Sequence, residues 1–362
     1  MTEAPRRILL VATRRIGDVL LATPLLRSLR RAWPQAAMDV LVYAGTERVL
    51  EGNPDCGRVL TIAQRPTLTE HLRLLRGLWR GYDLAVASQQ SDRSHLYAWC
   101  AGRRRVGVVP DASASSAWKR ASCSDYELLD DVGTHTVVQN LRLADRLGIA
   151  RCYEVVPPAG GAARITFDRP YAVLHPVPKF EYKRWTQQGW ARLIEWLRGR
   201  GLSVALTSGP DESERAYCAA LAQAPGVTNL GGQLSFAALA DLLRGAHLYV
   251  GPDTSVTHLA AACGIPTLAL YGPSNPVKWG PWPAGCTDDP SPWRMLGRPW
   301  QRRHNVLLLQ GVQPADLGSC VPCRLEGCER HVASKSRCLT ELPPDPVIAA
   351  AEALLNPSRA PT

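Results

Sequence analysis

Short apolar runs, each followed by a segment with helical spacing, recur along this chain in two series, and no other feature limits its fold so strongly. The first series opens with "RILLVA" (7–12), a continuous run of the kind a parallel strand shows when both its faces are covered. Residues 19–32, "VLLATPLLRSLRRA", then space their apolar side chains as a helix does, with Arg27, Arg30 and Arg31 near its C-terminal end. Pro24 falls inside that pattern and must kink the helix or sit in its first turns. "MDVLVY" (38–43), "VLTI" (59–62), "DLAVAS" (83–88) and "RVGVV" (105–109) read as further strands, with helical segments between them. Alternation of this kind builds a doubly wound α/β sheet.

The stretch "PPAGGAARITFDRP" (157–170) is rich in Pro and Gly, lacks periodicity and reads as an interdomain linker. The alternation then restarts with "YAVLH" (171–175), a helix at 186–198, "SVALTS" (203–208), a helix from about Asp211 and "VTNL" (227–230). A helix capped by Ser235, the strand "HLYVG" (247–251), a helix after Thr254 and the strand "PTLALYG" (266–272) complete it. At 362 residues the chain is too long for one core of ordinary size. Two Rossmann-like domains facing a central cleft are expected, at 1–160 and 161–343. A last helix, at roughly 344–355 within the segment 344–362, is expected to pack back across both. Ligands of such sheets lie beyond the C-terminal ends of the strands.

Composition narrows the function classes. The longest apolar runs are strand-sized, so no transmembrane helix is expected. The start, "MTEAPRRILLVATRRIGD", has too short an apolar run for a secretory signal and reads as a first strand. The net charge of +10, from 42 Lys+Arg against 32 Asp+Glu, favours phosphate-bearing ligands, and arginine carries nearly all of it. On charge alone a merely soluble surface is the simpler reading. With no nucleic-acid-binding motif, no nucleic acid is expected as partner. The 11 cysteines are an odd number, spread along a chain without an export signal, which points to reduced thiols in the cytosol.

Chemistry concentrates at strand-to-helix turns. In "VGPDTSVTHLAAACGIPTLALYGPSNP" (250–276) a strand passes to a helix through Gly251, Pro252, Asp253, Thr254 and Ser255. The N–H groups of Thr254, Ser255 and Val256 are then first-turn donors at the positive end of a helix dipole, an arrangement that binds anions. Either Asp253 or Thr254 can be the N-cap. "GPSNP" (272–276) follows one strand later and is expected on the same edge, with His258 close by. "RRIGDVLLATP" (14–24) is the matching turn of the first domain. There Gly17 permits close approach to the backbone, and Asp18 is either an N-cap or a carboxylate able to take a proton from a hydroxyl. Lys183 and Arg184 stand ahead of an amphipathic helix bearing Trp190, Leu193, Ile194 and Leu197, where cations could neutralise a diphosphate leaving group. "LTSGPDESERA" (206–216) repeats the turn as Ser208-Gly209-Pro210, followed by the acidic start Asp211, Glu212, Glu214.

Together these segments resemble the lipopolysaccharide heptosyltransferases of glycosyltransferase family 9, two-domain enzymes of the GT-B fold. The resemblance spans nearly the whole chain. It is carried by "ILLVATRRIGDVLLATPLLRSLRRAWPQAAMDVLVY", "KRWTQQGWARLI", "LTSGPDESERA" and "GPDTSVTHLAAACGIPTLALYGPSNPVKWGPW". The N-terminal half looks most like the members that add the third, branching heptose. The resemblance implies an inverting transfer of heptose from ADP-heptose to the inner core of lipopolysaccharide, at the cytoplasmic face of the inner membrane, with no cofactor required. It implies Asp18 as the general base on the acceptor hydroxyl, with Arg15 and Gly17 on the acceptor side. Lys183 matches the lysine at the donor's phosphates. Asp253, Thr254 and His258 match the element that cradles the diphosphate, Glu212 matches an acidic residue on the donor's ribose, and Ser255, Ser208 and Gly209 are counted with the donor site. Ser255 stands where many members have glycine, and "HPVPKF" lacks a small pair often found after His-Pro. Non-hydrolysing nucleotide-sugar epimerases share the two-domain build and act without an acceptor; a family member using another nucleotide sugar is the other alternative.

Two late segments remain. "CVPCRLEGCERHVASKSRC" sets Cys320, Cys323, Cys328 and Cys338 around His331, a set that could hold zinc, an iron–sulfur cluster or disulfides in a structural role. Trp279, Trp282, Trp293 and Trp300 lie among Arg294, Arg298, Arg302 and Arg303. They suit either a membrane interface or glycolipid acceptor, or a long loop held down by tryptophan packing.

Overall fold

The computed structural model describes residues 4–161, 165–295 and 299–356, so Arg298 and residues 162–164 of the linker stretch lie outside the described residues. The chain divides into two compact units, Met1–Pro158 and Ala159–Thr362.

In the first unit the chain runs through β1 (Arg7–Val11), α1 (Ile16–Leu20), α2 (Thr23–Ala32), β2 (Ala37–Tyr43), β3 (Arg58–Ile62) and α3 (Leu68–Leu78). It continues through β4 (Tyr82–Ala87), α4 (Asp92–Ala101), β5 (Gly102–Val109), α5 (Ala117–Ser122), β6 (Asp125–Leu128) and α6 (Thr136–Leu147). The strands are parallel in the order β3-β2-β1-β4-β5-β6. Winding reverses between β1 and β4, which opens a crevice at the C-terminal ends of those two strands. Four of the five β1 residues are buried, as its unbroken apolar run requires.

The helix expected at 19–32 is two helices. Pro24 has no N–H to give to the preceding turn, so α1 ends at Leu20 and α2 begins with Pro24 in its first turn. Thr23 Oγ1 donates to the Leu20 carbonyl at 2.7 Å and accepts from Val156 N–H at 2.9 Å, tying the break to the end of the unit. The cap of α1 is Arg15, without a side-chain capping bond; Asp18 is therefore not an N-cap but a buried residue of the first turn.

The second unit contains β7 (Tyr171–Leu174), α7 (Gln187–Gly199), β8 (Ser203–Leu206), α8 (Glu212–Leu221), β9 (Val227–Asn229), α9 (Phe236–Arg244) and β10 (Leu248–Pro252). After these come α10 (Ser255–Ala262), β11 (Thr267–Tyr271), α11 (Pro276–Trp279), β12 (Trp300–Arg303), β13 (Val306–Gln310), α12 (Arg337–Thr340) and α13 (Pro344–Leu355). The sheet order is β12-β13-β11-β10-β7-β8-β9, all parallel except β12, which pairs antiparallel with β13. Leaving β12 aside, this is the winding of the first unit again, with its reversal between β7 and β10.

Trp190, Leu193, Ile194 and Leu197 bury one face of α7, each worth roughly 1.5–3 kcal/mol on transfer from water. The Trp185 ring meets Trp190 edge-on at 5.1 Å and donates its indole N–H to the Leu342 carbonyl. A Cβ at Gly189 would fall 2.4 Å from the Trp185 ring, so this turn admits only glycine. The last helix, α13, packs on α7 and on β10, β11 and β13 of its own unit.

Candidate active site

The two reversals of winding carry the polar side chains singled out in the sequence. In the first unit the turn after β1 holds Thr13, whose hydroxyl shares a 2.8 Å hydrogen bond with Ser94 of α4. Arg14 donates to Gln89 Oε1 at 3.3 Å and its Nε lies 3.6 Å from Asp18 Oδ1. Asp18 is 6% exposed, while Arg14 and Arg15 are exposed and Gly17 is half-buried. One turn thus presents a sheltered carboxylate flanked by two solvated cations.

In the second unit the turns after β7, β10 and β11 meet on one carboxylate. Lys183, at the end of a short 3-10 turn (Glu181–Lys183), sets its Nζ 2.5 Å from Asp253 Oδ2. The Ser274 hydroxyl donates to the same oxygen at 2.6 Å, and the Tyr271 hydroxyl to Oδ1 at 3.2 Å. His258 Nε2 lies 4.0 Å from Oδ1. Burial opposes the charged form of Asp253, but the Lys183 ammonium and the surrounding donors outweigh it and hold the carboxyl below its ordinary value. Burial pushes His258 down to about 4, so its imidazole is neutral at pH 7. Its Nδ1 is buried and has no hydrogen-bond partner among the described residues.

Thr254, not Asp253, caps α10: its hydroxyl accepts from Thr257 N–H. Thr257 in turn bonds the Tyr249 hydroxyl at 2.9 Å and the Pro252 carbonyl. Ser255 and Val256 begin the helix, and their N–H groups have no intrahelical acceptor. Tyr249 and Tyr271 lie in strands read only from their apolar runs, yet both hydroxyls belong to this network. The signal was a tyrosine in each of two adjacent strands beside a polar turn. Buried Lys278 follows on α11.

At the turn after β8, Ser208 Oγ donates to the Gly209 carbonyl, and Gly209 N–H donates to Glu214 Oε2 at 2.7 Å. Glu214 is half-buried and its carboxyl is raised, chiefly by burial; Glu212 is exposed at the first position of α8, which Asp211 caps. The turn therefore gathers Glu214 rather than Glu212. His175, at the end of β7, is buried, lowered to about 4 by desolvation, and shares a 3.0 Å hydrogen bond with Thr207.

Trp282 and Trp293 are 2% exposed and Trp279 and Trp300 half-buried, with the Trp293 indole N–H on the Pro281 carbonyl. The Trp282 and Trp293 rings hold down the segment by packing. Cys320, Cys323, Cys328 and Cys338 are all free thiols. Burial first, then the neighbouring Cys323, Cys328 and Cys320, push Cys338 up to about 12. His331 pairs with Glu329 at 2.9 Å. Among the described residues no three His, Cys, Asp or Glu side chains are grouped to hold a metal ion, so the structure lends no support to the metal reading of these cysteines.

Two α/β sheets wound in the same order, each with polar side chains at its reversal, are the Rossmann-like pair of the GT-B fold. Residues 71–287 match the model of glycosyltransferase family 9 (heptosyltransferase), more than half of the chain. The chain belongs to that family. It is 28% identical to lipopolysaccharide heptosyltransferase 3 of Escherichia coli over 326 residues, 84% of this chain and 95% of the relative. With lipopolysaccharide heptosyltransferase 1 of Pseudomonas aeruginosa it shares 32% identity over 288 residues, 75% of this chain and 79% of that one. The solved structure of E. coli ADP-heptose lps heptosyltransferase II superposes with a TM-score of 0.71 at 20% identity, covering 98% of this chain and 100% of that one.

Proposed function

We propose that the protein transfers a heptose from ADP-heptose to a hydroxyl of the lipopolysaccharide inner core, in one displacement with inversion. The observation that carries this reading is the buried Asp253 carboxylate, bonded at once to Lys183, Ser274 and Tyr271 where β10 passes into α10. A negative group so heavily supplied with donors anchors a lysine beside a helix N-terminus, the arrangement a nucleoside diphosphate requires.

In this mechanism the donor's diphosphate rests over the first turn of α10, on the N–H groups of Ser255 and Val256 and beside the Thr254 hydroxyl. As the anomeric bond breaks, negative charge grows on the departing ADP, and Lys183 with the helix end stabilises it. His258, neutral at pH 7, offers Nδ1 as a hydrogen-bonding group rather than a charge. The ribose is assigned to the Ser208–Gly209 turn, with Glu214 in the place that the resemblance implies for Glu212. Asp18 takes the proton from the acceptor hydroxyl, and Gly17 and Arg15 belong to the acceptor side. The transfer exchanges one C–O bond for another and calls for no redox or prosthetic group.

The acceptor is a glycolipid, which places the reaction at the cytoplasmic face of the inner membrane. No helix of the described residues is long and apolar enough to cross a membrane. The test is transfer from ADP-heptose to a heptose-bearing core acceptor by wild type and by Asp18→Asn. Loss of roughly 10²–10⁴-fold in kcat, with donor affinity intact, is the expected result for removal of a general base. Near-normal turnover would take Asp18 out of that role.

A further inference from the structure

Two tryptophans of the late segment, Trp282 and Trp293, are buried, and large apolar side chains are exposed on one edge of the first unit. Leu68 is 75% exposed, Leu72 56%, Trp79 59% and Trp99 43%. Leu68 and Leu72 stand one turn apart on α3 and Trp79 follows at its C-terminal end, so the three continue a single stripe. Trp99 of α4 meets Trp79 edge-on, ring centroids 6.3 Å apart at 75°. The stripe is bordered by cations. Arg73 and Arg76 lie on the neighbouring exposed strip of α3, and the Arg80 guanidinium sits 5.8 Å from the Trp79 ring centroid. Among the described residues none of these three arginines forms an ion pair with a carboxylate. The one acid on the helix, Glu70, is engaged by the Thr67 N–H and hydroxyl in a capping box.

We propose that this edge docks the protein on an anionic lipid surface. Indole rings settle at the headgroup level, where the ring is apolar-solvated and its N–H meets water, and leucines one turn apart reach the acyl boundary. Unpaired guanidinium groups beside them match lipid phosphates in charge and in geometry. A neutral protein partner would cover the apolar stripe but leave the three cations unanswered; phosphate headgroups satisfy both. The proposal does not depend on Asp18 or on the donor site, since all of its residues lie away from both turns in sequence.

The test is co-sedimentation of the full-length protein with extruded vesicles, either phosphatidylglycerol mixed with phosphatidylcholine or phosphatidylcholine alone. Wild type is compared with the double variant Trp79→Ser/Trp99→Ser and with Arg76→Glu. Wild type should bind the anionic vesicles, with a blue shift of tryptophan fluorescence, and lose most of that binding as salt is raised. Each variant should bind at least about tenfold more weakly, while thermal midpoint and turnover on a deacylated, water-soluble acceptor stay at wild-type values. Equal vesicle binding by wild type and variants overturns the proposal. So does loss of a concentration-dependent dimer in the variants with vesicle binding unchanged, which makes the edge a self-association face. Loss of turnover on the soluble acceptor overturns it as well, by making the edge part of the acceptor site.

Discussion

At the residue scale the molecule turns on a buried charge. Asp253 is 8% exposed and Lys183 nearly as sheltered, and a pair of this kind is held less by its own attraction than by the penalty of leaving either member alone. His258 beside it is the reporter. Its folded pKa of about 4 lies below the ordinary 6.5, so between those values the unfolded chain binds a proton that the folded chain refuses. Stability must therefore fall as pH drops through that window, and His175, also lowered to about 4, adds to the slope. Replacing His258 with Gln should flatten the dependence by up to about 1.4 kcal/mol per pH unit, read from urea unfolding at several values between pH 4 and 7. An unchanged slope would mean that the ring is already charged in the fold.

At the scale of elements, caps and apolar runs were the legible part. Ser235, Asp211 and Thr254 each accept the backbone N–H that an N-cap should, and the strands read from "RILLVA" to "PTLALYG" are all present. What escaped has a physical reason. β6 is the polar edge strand "DYEL", none of whose residues is buried, so it shows no apolar run. β12 and β13 turn through His304 and Asn305 without a glycine; His304 takes φ +47° itself, and Asn305 is pinned by the Ala261 and Ile265 carbonyls. The choice of Glu214 over Glu212 depends on which acidic side chain folds back to Gly209, and spacing alone does not decide that. Gly251 gives the test at this scale. A Cβ there would lie 2.1 Å from the Tyr249 hydroxyl, which braces Thr257 in α10. Gly251→Val should destabilise by at least about 2 kcal/mol through overpacking, against about 1 kcal/mol for loss of the cap in Thr254→Ala. It should also weaken ADP binding more than the cap variant does, as measured by calorimetry. A valine tolerated without change in either quantity would free the start of α10 from the tyrosine brace.

At the scale of the whole molecule, each unit completes its own sheet and core, and among the described residues no strand is exchanged between the two sheets. Heating should therefore give two calorimetric transitions rather than one. ADP at a hundred times its Kd should raise only the transition of the second unit, by the equivalent of about 2.7 kcal/mol. A shift of both transitions, or a single one, would show the units to melt together. The repeated winding has a further meaning. A chain that finishes one sheet before starting the next can inherit its two halves from different ancestors and tune them on separate histories. Grafting a relative's opening half onto Ala159–Thr362 is the recombination that this architecture invites.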